Sequence, residues 1–252
     1  MTRAALPLSR KLVELTRRPG ARGSGGGPVP SDPALKLGYL KQVDILAPLS
    51  AEERAWVAAN TAMVTCERGR VFYTPDEPGE VVFLLKHGRV SLFRLTPDGR
   101  KLVVAMLDAG TCFGEMGLLG QKMYGCYAEA ATECLICVMS RADLQALVRR
   151  NPEVGLRLLD VVGGRLQQRE AEMEALAFRG VPARLAELLL QEADAFGTVT
   201  GQSHQDLAER LGTYRETVSQ VLGRFRAERL VAVEPKRIRL LDPAGLQAYA
   251  EG

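Results

Sequence analysis

Ser203-His204-Gln205-Asp206-Leu207-Ala208-Glu209-Arg210-Leu211-Gly212-Thr213-Tyr214-Arg215-Glu216-Thr217-Val218-Ser219-Gln220-Val221-Leu222 reads as two short helices joined by a tight turn. Ser203 is followed three residues later by Asp206, and Thr213 three residues later by Glu216. Each pair has the form of a capping box, in which a hydroxyl accepts from an orphaned backbone N–H while the carboxylate reaches back, worth about 1 kcal/mol per cap. Leu207, Ala208 and Leu211 make one apolar stripe, Gly212 stands where the chain must turn, and Val218, Val221, Leu222 and Phe225 make a second stripe. Ala208, Gly212, Val218 and Val221 occupy the offsets where a helix-turn-helix needs a small residue, a permissive turn and two anchors.

The opposite face of the second helix presents Arg215, Glu216, Ser219 and Gln220. These side chains suit base edges: Arg donates twice to guanine, Glu accepts from cytosine, and Gln pairs with adenine. The N-terminal end of a recognition helix is the part that reaches bases, which singles out Arg215 and Glu216. An ordinary solvated helix face would also be polar. Here Arg224, Arg226, Arg229, Lys236, Arg237 and Arg239 follow closely, so positive charge is concentrated where a phosphate-facing surface needs it.

Leu230 to Val233 and Ile238 to Leu241 are short β-type runs around Glu234-Pro235-Lys236-Arg237. Two readings stand side by side: a hairpin wing placing Lys236 and Arg237 near the sugar-phosphate backbone, or a surface hairpin with solvated basic residues.

Upstream, Val71–Tyr73, Val81–Leu85, Arg89–Leu95, Leu102–Leu107 and Ala128–Met139 are strand candidates. They are separated by the turn signals Pro78-Gly79, His87-Gly88, Asp98-Gly99 and Ala109-Gly110, a spacing that suggests a sandwich or jelly roll. Before them, Leu35 to Asn60 reads as short helices, with Ser50 and Glu53 as a capping box. No nucleophile has a base beside it, no carboxylates pair and no Walker-type loop occurs, so an enzyme is not expected.

After Asn151-Pro152, Val154, Leu158, Val161, Val162, Leu166, Met173 and Leu176 recur at helical spacings. A helix this long between two domains can bury its stripe against a second copy of itself, making a homodimer, or against its own domain. Gly163-Gly164 weakens it by about 1 kcal/mol per glycine relative to alanine, or permits close approach.

The chain has 252 residues and a net charge of +3, enough length for two cores and too little charge to argue for nucleic acid by itself. No run approaches the roughly 20 apolar residues of a membrane span and no signal peptide opens the chain, so a cytoplasmic protein without a membrane partner is expected. Residues 1–33 hold Arg3, Arg10, Lys11, Arg17, Arg18 and Arg22, then a Gly/Ser/Pro-rich run, and read as a mobile basic arm. The five cysteines, Cys66, Cys112, Cys126, Cys134 and Cys137, are expected to be reduced. Cys134 and Cys137 are spaced like a metal pair, yet residues three apart on a strand point to opposite faces, so no metal site is expected. A thiol sensor stays open.

Taken together these motifs resemble the cAMP receptor protein and fumarate-nitrate regulator (CRP/FNR) family of bacterial transcription factors, over about Leu40 to Tyr249. Phe113-Gly114-Glu115-Met116-Gly117-Leu118 is similar to the opening of that family's phosphate-binding cassette, Asn151 to Phe178 to its dimerisation helix, and Ser203 to Gln220 to its helix-turn-helix. The resemblance implies an α+β protein: a β jelly-roll sensor over residues 34–150, a dimerisation helix over 151–179 and a winged helix-turn-helix over 180–252. It further implies a palindromic double-stranded DNA site, RNA polymerase as a partner, Ser203 and Gln205 beside phosphate, and Arg215 and Glu216 at bases. Gln220 stands where the cAMP receptor protein carries another base-reading Arg.

The effector region departs from the family pattern. Gly114 and Glu115 are retained, but Tyr124-Gly125 stand in place of the Arg-Ser or Arg-Thr pair that neutralises the cyclic phosphate. Arg169-Glu170 replace the adenine-contacting Thr-Ser pair on the central helix. A phosphate without its Arg loses a charge-assisted pair about twice as strong as a neutral hydrogen bond. The expectation is therefore a regulator independent of cAMP, with no cofactor, and with Gly114 and Glu115 kept as a turn closing the jelly roll. The alternatives are a cAMP-responsive regulator in which Lys122 or Arg169 replaces the lost Arg, and a nucleotide-sensing interaction protein that does not bind DNA.

Overall fold

The computed structural model describes residues 43–75, 81–114 and 125–251. The basic arm, the Pro78-Gly79 turn and the cassette residues Glu115 to Tyr124, including Lys122, lie outside the described residues. By internal contacts the chain divides into two units: residues 1–94 with 104–163, and residues 95–103 with 164–252.

The first unit begins with a short 3-10 turn, Asp44–Leu46, and helix α1, Ala51–Asn60. The expected cap forms: the Glu53 N–H donates to Ser50 Oγ at 3.2 Å, and the Ser50 N–H donates to Glu53 Oε2 at 2.8 Å. Those bonds hold the Glu53 carboxyl below the usual range, the Ser50 backbone bond foremost. Eight strands follow: β1 Ala62–Cys66, β2 Val71–Tyr73, β3 Val81–His87, β4 Val90–Leu95, β5 Lys101–Leu107, β6 Cys112–Phe113, β7 Tyr127–Ala130 and β8 Cys134–Ser140. They form two four-stranded sheets, ordered β1-β8-β3-β6 and β2-β7-β4-β5. The run expected as a single strand over Ala128–Met139 is two strands in different sheets, parted by Ala131-Thr132-Glu133. Both strands turn apolar residues inward on either side of the break, which falls at half-buried Ala131 and exposed Thr132 and Glu133, with no Gly or Pro to mark it.

Alternation of side chains builds two cores on the first sheet. Val81, Phe83 and Leu85 join Cys66, Phe113, Cys134, Ile136 and Val138 in the interior between the sheets, opposite Tyr73, Val90, Leu92, Ala128 and Ala130. The alternate positions Val82, Leu84, Cys137 and Met139 pack outward against Ile45, Leu46, Val57, Leu144, Leu147 and Val154. A sheet covered on both faces has no polar side to show, hence the unbroken Val-Val-Phe-Leu-Leu of β3. Cys134 and Cys137 accordingly fall in different cores, as strand periodicity requires.

Helices α2, Arg141–Arg150, and α3, Pro152–Phe178, follow the strands. Asn151 closes α2 through its N–H to the Leu147 carbonyl at 2.8 Å, and its amide donates to Glu53 Oε2 at 3.3 Å. The expected stripe of α3 is split. Val154, Leu158 and Val161 pack into the outer core of their own unit, whereas Leu166, Met173 and Leu176 are exposed, as is Leu159, which the expected stripe did not include.

The second unit contains α4, Val181–Glu192; β9, Thr198–Thr200; α5, His204–Leu211; α6, Arg215–Ala227; the hairpin β10, Val231–Glu234, and β11, Arg237–Leu240; and α7, Pro243–Glu251. One core joins Leu185, Ala186 and Leu189 of α4 to Leu207 and Ala208 of α5, Val218, Leu222 and Phe225 of α6, Val231, Ile238 and Leu246. β9 adds to β11, so the wing is one edge of a three-stranded sheet ordered β10-β11-β9.

Candidate nucleic-acid interface

Helices α5 and α6 are the two helices read from the sequence. The Ser203 cap is complete: its Oγ accepts from the Asp206 N–H at 3.2 Å, and its N–H donates to Asp206 Oδ2 at 2.7 Å. Gly212 ends α5 with φ +63°, a conformation that costs a side-chain-bearing residue roughly 1 kcal/mol or more. The second expected cap is corrected. The Thr213 N–H is already spent on the Ala208 carbonyl, at 3.0 Å, in closing α5, so α6 starts one residue later. Tyr214 is the N-cap, no side chain caps it, and Glu216 falls in the first turn one place too early for a box.

With Val218, Val221, Leu222 and Phe225 buried, α6 turns Arg215, Glu216 and Gln220 to solvent. Ser219 is half-buried and engaged. Its hydroxyl donates to the Arg215 carbonyl at 3.0 Å, and His204 Nδ1 lies 2.8 Å away. A hydroxyl has one proton, so His204 Nδ1 must be the donor of the second bond. Ser219 thereby joins the first turn of α5 to α6 instead of projecting freely. Gln205 is exposed and donates to Glu209 at 3.0 Å, one turn along the same helix.

Sequence reasoning did not single out the polar clamp behind α5. Glu192, at the end of α4, accepts from Arg210 at 2.8 Å with one oxygen and from Gln202 at 3.0 Å with the other. The Arg210 and Glu192 side chains are only 16% and 12% exposed, so solvent screens this pair far less than a surface one. Arg184 donates to the carbonyl of Leu211 at 2.7 Å, satisfying a terminal acceptor of α5 next to the Gly212 turn. One carboxylate thus holds both ends of α5, and a guanidinium holds its exit. The signal in sequence is weak, since Arg184, Glu192, Gln202 and Arg210 look like four unrelated surface residues.

The wing forms as a hairpin in the register Glu234 to Arg237, with Pro235-Lys236 as its turn. Lys236 sits at φ +54°, and Lys236, Arg237 and Arg239 are exposed. Arg215, Lys236, Arg237 and Arg239 form no ion pair with other described residues, so their charge is available to an external anion. Arg224 is different. It pairs with Glu228 at 3.0 Å and lies 5.3 Å over the Tyr249 ring, bonds that raise its pKa and lower that of Glu228.

In the first unit Gly114 is buried with φ +83°, and Gly125 is exposed with φ +60°. Glu115 and Tyr124 lie outside the described residues. Beside Gly114 the sandwich interior holds an aromatic cluster: Phe83 stacks on Phe113 at 4.9 Å, and Phe72 meets Phe113 edge-on at 5.2 Å. Arg169 ion-pairs with Glu172 on its own helix at 2.5 Å.

Comparison with known proteins agrees with both units. Residues 63–151 match the cyclic nucleotide-binding domain, and residues 183–249 match the Crp-like helix-turn-helix domain. The chain is 30% identical over 82% of its length, and 96% of the relative's, to a probable transcriptional regulator, Flp, of Lacticaseibacillus casei. It is 33% identical over 71% of its length to the global nitrogen regulator of Synechococcus elongatus, covering 86% of that protein. A CRP-family transcriptional regulator from Thermus thermophilus superposes with TM-score 0.65 at 28% identity, covering 75% of this chain and 96% of that one. Among the described residues no helix is long and apolar enough to cross a membrane. The chain therefore belongs to the CRP/FNR family and is a DNA-binding transcription regulator, not an enzyme.

Proposed function

We propose that the protein is a homodimeric, cytoplasmic regulator that reads a twofold-symmetric DNA site and whose sensor unit does not use cAMP. The observation that carries the DNA reading is α6 itself: a fully buried apolar face backed by Arg215, Glu216 and Gln220 in solvent, with an exposed basic wing in the same unit. Arg215, Glu216 and Gln220 meet base edges, with Ser219 positioning the helix, while Ser203, Gln205, Lys236 and Arg237 lie along phosphates. Supporting the dimer is the exposed seam of α3. Leu159, Leu166 and Met173 stand seven apart, and Val162 and Leu176 follow the first and last by three, the a/d pattern of a two-stranded coiled coil. Arg169 takes the intervening d place. RNA polymerase is the partner proposed for the DNA-bound dimer, on family resemblance.

Enrichment of sites from random duplex DNA tests this reading. A palindrome with half-sites one helical turn apart is expected; an asymmetric site, or no enrichment, defeats it. Independence from cAMP rests on Tyr124-Gly125 in place of the phosphate-neutralising Arg and on the phenylalanine cluster beside Gly114. Calorimetric titration with cAMP and cGMP should show no micromolar binding. The match of residues 63–151 to the cyclic nucleotide-binding domain favours a second reading, in which Lys122 or Arg169 replaces that Arg. Micromolar cAMP binding abolished by Arg169→Ala or Lys122→Ala would establish it.

A further inference from the structure

All five cysteines are buried thiols, and strand register sorts them. Cys66, the last residue of β1, is the direct cross-strand partner of Cys134, the first residue of β8. Both project into the interior between the sheets. Directly opposed residues of an antiparallel pair have Cα atoms about 4.5–5.5 Å apart, which falls within the roughly 4.4–6.8 Å span of a disulfide. The remaining cysteines lack this placement. Cys112 and Cys137 flank Leu84 from its two sides, one on β6 and one on β8, so two strand spacings of about 4.8 Å each separate them. Cys134 and Cys137 face different cores, and Cys126 leads into β7 of the facing sheet.

We propose that Cys66 and Cys134 form a peroxide-oxidisable thiol pair whose product is a cross-strand disulfide clipping the end of β1 to the start of β8. The thiolate of one cysteine attacks a peroxide oxygen, the O–O bond breaks, and a sulfenic acid and one water result. The second sulfur displaces the hydroxyl from that sulfenic acid as a second water. Two thiols thus lose two electrons and two protons, and one hydrogen peroxide becomes two waters.

The pair is the terminal rung of its ladder, the point at which a sheet frays first. There the Cys134 thiol has two acceptors for its single proton, the carbonyls of Arg89 and Thr132 at 3.3 and 3.4 Å. Burial pushes the Cys66 thiol up to about 11, and burial also raises Cys134. Only the thiolate attacks, so the reaction is slow at neutral pH and accelerates as pH rises toward that range. The bridge would close a loop holding β2 through β7 and the Gly114 to Gly125 segment, restricting the unfolded sensor unit while leaving the DNA-reading helix untouched.

The test uses the full wild-type chain, exposed to hydrogen peroxide at pH 7 and pH 8.5, alkylated, digested and mapped by mass spectrometry. The expected result is one intramolecular peptide pair joining Cys66 to Cys134, with alkylatable thiols falling from five to three. Formation should be faster at the higher pH and reversed by dithiothreitol. Trp56 packs against the outer core of the sensor unit, so its fluorescence should report a higher unfolding midpoint for the oxidised protein. A Cys112→Ala variant should bridge as wild type does. Five thiols surviving, a bridge through Cys126 or between chains, or conversion to sulfinic acid without bridging would each overturn the assignment.

Discussion

Arg215 is exposed at the first position of α6, and the proposed reading sets its guanidinium against a guanine edge. Arg215→Ala should weaken binding to the selected site by about 1–3 kcal/mol and relax base preference at one position per half-site, read by competition footprinting. Lys236 makes a different test, because its role and its backbone oppose one another. At φ +54° a side chain is strained, so Lys236→Gly should leave folding stability unchanged or raise it by up to about 1 kcal/mol. The same change should weaken DNA binding evenly across sequences and lower the salt slope by about 1. Thermal unfolding and salt titration of DNA affinity read the two effects separately. Lys86, buried in β3, supplies a third prediction. Burial pushes its ammonium down to about 8 from 10.5, against a smaller opposing effect of Cys137. Below pH 8 folded and unfolded states are both charged and the burial penalty is complete. Between 8 and 10.5 the unfolded chain holds a proton that the folded one lacks, so stability rises with pH by an amount on the order of 3 kcal/mol. Lys86→Met should flatten this rise, measured by urea unfolding on Trp56 fluorescence. The difference from wild type cancels the opposing effect of Cys66, whose raised pKa destabilises the fold above pH 9.

At the scale of elements, α5 owes its position to groups outside it. Glu192 holds Arg210 and Gln202, and its loss leaves a largely buried guanidinium without its carboxylate. Glu192→Ala should destabilise the DNA-binding unit by about 3 kcal/mol and weaken DNA binding without changing base preference. Chemical denaturation of that unit, paired with site selection, checks both halves. The stripe of helix α3 suits a second copy or its own domain, and Val154, Leu158 and Val161 are consumed by the sensor core. The seven-residue repeat that survives to Leu176 lies on exposed positions, the part of the helix that the proposed dimer would use.

For the whole molecule, the seam and the recognition helix make one joint prediction. Leu166→Glu should shift the protein from dimer to monomer in analytical ultracentrifugation and lower affinity for a palindrome by orders of magnitude. Affinity for a single half-site should stay the same, because two tethered readers gain by effective concentration and one does not. A monomeric wild type, or a variant that still dimerises, would remove α3 from the interface.

Much was legible in the amino-acid order because the physics involved is local. The Ser203-Asp206 and Ser50-Glu53 boxes, the Gly212 turn, the buried sets of α5 and α6 and the hairpin around Pro235-Lys236 all depend on residues within a few places of one another. Even the opposite facing of Cys134 and Cys137 follows from a period of two. Tertiary structure decided what depends on distant partners. It broke the Ala128–Met139 run between two sheets and withdrew the Thr213 cap by engaging its N–H one turn back. It joined Glu192 to Arg210 across 18 positions and set Cys66 beside Cys134, with β2 to β7 between them in the chain. Periodicity reports which face a residue occupies; only packing determines what stands opposite that face.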